Sequence, residues 1–197
     1  MSRPVVFAPP KSVGFITPES LLVITDIQFS SDLTPYSTKR LPCVELEKLV
    51  VAISPEIDLD NPDALYVASS SGYVQPNCAQ RQAASTWHPE IGKRRYFGVC
   101  DIDPTENLVG TLSPGVMVHS TDPLSVSFES VEGQKMLVGL DKATKSVLAR
   151  TGLGITQSDP YEVVELGPNV YHRSTRNKRH KAIYRNFLAF SIKQAAV

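Results

Sequence analysis

VELEKLVVAISPEIDLDNPDALYVASSSGYVQP, residues 44–76, decides how this chain is read. CVELEKLVVAI (43–53) ends in a continuous apolar run, and ALYVASSSGYV (64–74) is rich in β-branched and aromatic residues. Between them, SPEIDLDNPD mixes prolines with Asp and Asn, the residue types that bend a chain. The stretch predicts strand, turn, strand. The same pattern extends outward. LLVITDIQF (21–29), RRYFGVCDI (94–102), GVMVHS (115–120), KMLVGL (135–140), YEVVEL (161–166) and NFLAFSI (186–192) have strand character. LSVSFESV (124–131) alternates cleanly, with Leu124, Val126 and Phe128 on one face and Ser125, Ser127 and Glu129 on the other. Short strands separated by Pro- and Gly-containing turns such as DIDPTEN and LSPG predict an all-β, antiparallel two-sheet sandwich. Helix is expected only as a turn or two in LDKATKSVLART (140–151).

Bulk properties fit one domain. A chain of 197 residues with 42% apolar content buries a sizeable core and is not disordered. Its apolar runs are too short to span a bilayer, and the N-terminal MSRPVVFAPPKSVGF has no signal-peptide core. No membrane partner is expected. Cys43, Cys78 and Cys100 are odd in number and widely spaced, which favours reduced thiols and a cytosolic setting.

Charge is segregated. The chain holds 20 basic and 20 acidic residues, yet no acid follows Glu165. HRSTRNKRHKAIYRNFLAFSIKQ (172–194) gathers Arg173, Arg176, Lys178, Arg179, Lys181 and Arg185, and is read as a basic loop feeding a strand. Mutual repulsion in such a cluster is relieved by a polyanion or an acidic protein face. Tyr171, His172, His180 and Tyr184 add rings that can stack on bases. These six cations are the candidate RNA-binding residues.

Sites for catalysis or metals are harder to find. No GxSxG, HxH or HExxH occurs. His88, in STWHPEIG, reads as a turn residue, and His119 closes a strand. Asp58, Asp60 and Asp63 in DLDNPD, and Asp101 and Asp103 in DID, bring carboxylates close, but the EF-hand glycine and distal Glu are missing. TGLGITQ (151–157) lacks the rest of a phosphate loop. Trp87 stands in a turn context, and we expect it to anchor a subunit interface. No cofactor is expected.

The 44–76 stretch resembles strands C and D of a viral jelly-roll coat protein, and RRYFGVCDIDPTENLVGTLSPGVMVHSTDPLS is similar to the E-to-F region of tymovirus-like coats. The resemblance makes LLVITDIQF strand B and NFLAFSI strand I. It implies a jelly-roll shell domain over residues 21–197 behind an N-terminal arm, 1–20. It also implies a non-enzymatic capsid protein that assembles with itself around genomic RNA, found in the virion and host cytoplasm. Three other readings stay open: a non-viral β-sandwich module for an anionic ligand, a phage tail or head-completion protein, and an enzyme using Asp101, Asp103, His88 or His119.

Overall fold

A computed structural model of the chain describes residues 5–6, 10–27, 29–30, 32–78, 90, 93–101, 109–112, 117–118, 127–131, 134–138, 155–167, 170, 172–174, 177 and 179–194. In chain order these contain β1 (Val5–Val6), β2 (Lys11–Phe15), α1 (Pro18–Asp26), β3 (Thr34–Pro35), α2 (Val44–Ile53), β4 (Leu65–Val74) and β5 (Arg94–Cys100). There follow β6 (Val109–Leu112), β7 (Met117–Val118), β8 (Ser127–Val131), β9 (Gln134–Val138), β10 (Ile155–Gln157), β11 (Glu162–Leu166), β12 (His172–Ser174) and β13 (Ile183–Lys193). The described chain is mostly β, with two helices.

The centre is a six-stranded antiparallel sheet in the order β2-β11-β5-β13-β4-β3. β13 lies inside it and pairs with β4 from Ile183↔Val74 to Ile192↔Leu65, and with β5 from Phe187↔Cys100 to Lys193↔Arg94. A three-stranded sheet, β10-β6-β12, and the pairs β8-β9 and β1-β7 are separate from it. Of the strands expected from sequence, those at 64–74, 94–102, 161–166 and 186–192 all enter the main sheet. The segments at 124–131 and 135–140 supply the hairpin strands β8 and β9. Residues 140–151 lie outside the described residues.

Two expectations are corrected. LLVITDIQF and CVELEKLVVAI are not strands; they contribute α1 and α2. Thr17 caps α1 by accepting the Ser20 amide at 3.1 Å, with Pro18 at its first turn. Leu21, Ile24 and Thr25 then fall on one buried stripe. In α2, Leu46 and Val50 are fully buried and Leu49 and Ile53 pack beside them, at spacings of three, four and seven residues. That is helical spacing, hidden inside what reads as a continuous apolar run. The jelly-roll strands B and C implied by the coat-protein resemblance are therefore absent from these two segments. Residues 11–15, expected in a free arm, form the edge strand β2, paired with β11. A bulge between Val163 and Val164 falls opposite Gly14, whose φ of +134° a side chain would strain.

Both helices cover one face of the sheet. Leu65, Val67, Phe97, Val99, Val163, Leu188, Phe190 and Ile192 meet Leu21, Ile24, Leu46 and Val50 in a single core. Phe97 and Phe190, directly paired across β5 and β13, stack with centroids 4.9 Å apart. Burial and an accepting Glu47 raise the Tyr36 phenol well above its ordinary pKa. The Tyr36 hydroxyl donates to Glu47 and accepts the Cys43 amide, closing the start of α2.

At the edge of this core, Arg95 makes a two-pronged ion pair with Glu165, Nε to Oε1 at 2.7 Å and Nη2 to Oε2 at 3.0 Å. The hydrogen bonds hold the Glu165 carboxyl below its ordinary value of 4.5. A lowered folded-state pKa gives stability that is present above about pH 4.5 and lost as acid protonates the carboxylate. Arg95→Met is expected to cost about 1 kcal/mol at pH 7 and to flatten the acid limb of a thermal-melting pH series. An unchanged acid limb would exclude this pair as the cause.

Candidate metal centre

The candidate site lies on the face of the main sheet opposite the helices. Directly paired residues of antiparallel strands share a face, so the pairs Arg185↔Gly72, Phe187↔Cys100 and Ser191↔Tyr96 place Arg185, Phe187 and Tyr96 on that face, with Arg185 toward one end of β13 and Tyr96 toward the other. Two small apolar clusters lie on it: Val74, Cys100 and Ile183 with Phe187, and Val164, Leu166 and Val170 with Tyr96. Space is tight between them. A Cβ at Gly98 would meet Leu166 Cδ1 at 3.4 Å and Phe187 at 3.7 Å.

β12 brings His172 to this region, two residues after Val170. The residue is 7% exposed. Its Nδ1 lies 3.2 Å from the Val170 carbonyl, which only accepts, so Nδ1 carries a hydrogen and donates it. Nε2 lies 3.5 Å from Oε1 of Glu90, which is itself largely buried. Burial first, and then the Glu90 charge, raise the pKa of the neighbouring Tyr96 phenol.

Two states bring Nε2 and a carboxylate oxygen together in a low-dielectric pocket. One is an imidazolium–carboxylate ion pair. In the other, Nε2 offers a lone pair and a cation lies between the two groups. A neutral Nε2 lone pair facing a carboxylate with neither a proton nor a cation is repulsive. The donor chemistry fits a first-row divalent ion. Two ligand atoms each about 2.1 Å from such an ion sit roughly 3.0–3.4 Å apart at octahedral or tetrahedral angles. The Nδ1–H to carbonyl bond is the support that metal-bound histidines use to fix their tautomer. No three His, Cys, Asp or Glu groups converge among the described residues. A further imidazole, His88, stands two residues before Glu90 in the sequence and lies outside them.

Arg185 is 2% exposed, with its guanidinium 4.8 Å from the centre of the Phe187 ring. This corrects its place among the surface RNA contacts: it is a strand residue inside the fold, out of reach of a docked polyanion. Arg179 and Lys181 are exposed, in the turn ahead of β13. Arg173 lies on β12, and Arg176 and Lys178 fall outside the described residues, as do Trp87, His119 and Asp103. Asp101 accepts the Asn186 amide and side chain at 2.8 and 2.6 Å, a structural tie. Asp58 accepts the Asp60 amide within its own turn, while Asp63 binds Lys193 at 2.7 Å. DLDNPD is thus a braced turn rather than a cation site among the described groups.

Sequence reasoning passed over Glu90 and treated His172 as a stacking ring. The faint signal was the spacing His88-Pro89-Glu90 with a distant histidine, which is too common to single out alone.

No protein-family model matches the chain, and no curated protein does. Among solved structures it is similar to AviO1 from Streptomyces viridochromogenes Tue57, at 14% identity and a TM-score of 0.42, covering 99% of this chain and 93% of that one. A likeness that low carries no argument about activity. The non-enzymatic expectation rested on the coat resemblance, two of whose strands are helices, and it is withdrawn.

Proposed function

We propose that this chain is a metal-dependent oxygenase of the non-haem iron(II) type, with His172 and Glu90 supplying one histidine and one carboxylate ligand. The observation that carries this reading is the buried approach of His172 Nε2 to Glu90 Oε1 at 3.5 Å, with Nδ1 committed to a main-chain carbonyl. Bound iron(II) supplies dioxygen activation, chemistry that protein side chains lack. Among the chain's own residues, Val170 fixes the His172 tautomer and is itself held in a small apolar cluster with Val164, Leu166 and Tyr96.

A 2-oxo acid such as 2-oxoglutarate is the co-substrate, and its oxidative decarboxylation balances the reaction. One oxygen atom of O2 enters the organic substrate, and the other enters the carboxylic acid formed as CO2 leaves. The architecture proposed around the site is a jelly-roll sandwich, in which strands such as β12 close over the second face of the main sheet.

The capsid reading is not carried forward as the main proposal. Two segments that supported it are helices, and one of its six cations is buried.

Calorimetric titration of the chelator-stripped protein with Co(II), as a redox-stable stand-in for iron(II), tests the proposal. One saturable site is expected, with 2-oxoglutarate binding only after the metal. An absence of saturable binding for Co(II), Fe(II), Mn(II) and Zn(II) alike would leave His172 and Glu90 as a plain ion pair.

A further inference from the structure

Asn177 is 1% exposed and organises the turn ahead of β13. Its Nδ2 donates to the carbonyls of Val74 and Lys181, both at 2.9 Å, and its Oδ1 accepts the Arg179 amide at 2.9 Å. Its main chain adds two more bonds, accepting from Asn77 at 2.8 Å and donating to Cys78 at 3.0 Å. The turn is thereby fastened to the end of β4. It presents Arg179, His180 and Lys181 to solvent at fixed positions.

Beside that turn, β13 and β4 expose two rings. Tyr184 and Tyr73 are direct cross-strand partners and meet edge to face with centroids 5.1 Å apart. They are 52% and 71% exposed. Tyr184 shares its face of the strand with Asn186 and Leu188, so the pair lies on the helix side of the sheet, on the face opposite the candidate metal centre. Large rings left in water contribute little to folding, and paired with a rigid cationic turn they form a recognition surface.

We infer that this surface binds a short single-stranded nucleic acid, with bases stacking on Tyr73 and Tyr184 and phosphates meeting Arg179 and Lys181. Charge complementarity selects an anion: Arg179 and Lys181 are exposed in this turn, and no acidic residue follows Glu165 in the chain. The exposed ring faces favour nucleic acid over an acidic protein, because bases stack on aromatic side chains whatever their sequence.

The test uses the full chain and a fluorescein-labelled 12-nucleotide RNA of mixed sequence, followed by fluorescence anisotropy. Tyr73→Ala with Tyr184→Ala is expected to weaken binding about tenfold while leaving the circular dichroism spectrum unchanged. Lys181→Ala should make the slope of log K against log[salt] shallower by about 0.7. An RNA backbone of the same length with abasic sites should bind wild type no better than the double variant binds intact RNA. The inference is overturned if wild type fails to bind the RNA. It is equally overturned if the double variant binds like wild type and polyglutamate competes as well as RNA, which would assign the surface to an acidic protein.

Discussion

His172→Ala is expected to abolish saturable Co(II) binding, weakening it by at least about 100-fold, and Glu90→Ala to do nearly the same. Losing a ligand removes a bond to the ion outright, whereas losing a supporting group typically costs 10–100-fold. The ion-pair alternative makes the opposite pattern. If Nε2 and Glu90 simply neutralise one another, His172→Ala strands a largely buried carboxylate and destabilises the fold by about 3–5 kcal/mol. Metal titrations would then be flat for wild type and variant alike. Calorimetry and a thermal melt on the same variants separate the two.

Phe190→Ala is expected to be the most damaging single substitution in the core, at about 3–5 kcal/mol. The side chain is fully buried on the central strand, stacked on Phe97 and covered by both helices. In a chain of this size the loss corresponds to a fall of roughly 10 °C in Tm, read from far-ultraviolet circular dichroism. A cost below about 1 kcal/mol would mean that α1 and α2 do not seal this face of the sheet. The contrast with Tyr184, half exposed on the same face of the same strand, makes the test internal: Tyr184→Ala should barely move Tm while affecting the RNA measurement.

The strands of the main sheet were largely legible because each carries its own signal. LYVASSSGYV, RRYFGVC, EVVEL and the FLAFSI portion of β13 are β-branched or aromatic runs bounded by turn residues. β2 went unread because KSVGF is an edge strand with mostly exposed residues and one glycine, too weak a pattern to stand alone. The helices were misread for a different reason. VELEKLVVAI is as good a strand as a helix by apolar content, and only the three-, four- and seven-residue spacing of its buried positions tells the two apart. The Thr17-Pro18 start of α1 was the local clue that outranked the β-branched residues following it.

The candidate site was less legible than the fold. Glu90 and His172 are 82 positions apart in the chain, and no spacing rule joins them. Arg185 sits in a basic run whose composition says solvent, yet it is buried on the face of β13 opposite the half-exposed Tyr184. By itself the sequence determined a mostly β chain with a segregated positive charge, because strand propensity and net charge are sums over local residues. Only the tertiary structure decided which cations are surface and which are interior, and which carboxylate meets which imidazole. Those outcomes depend on cross-strand register and on the approach of distant segments, and neither is encoded within any one stretch of the chain.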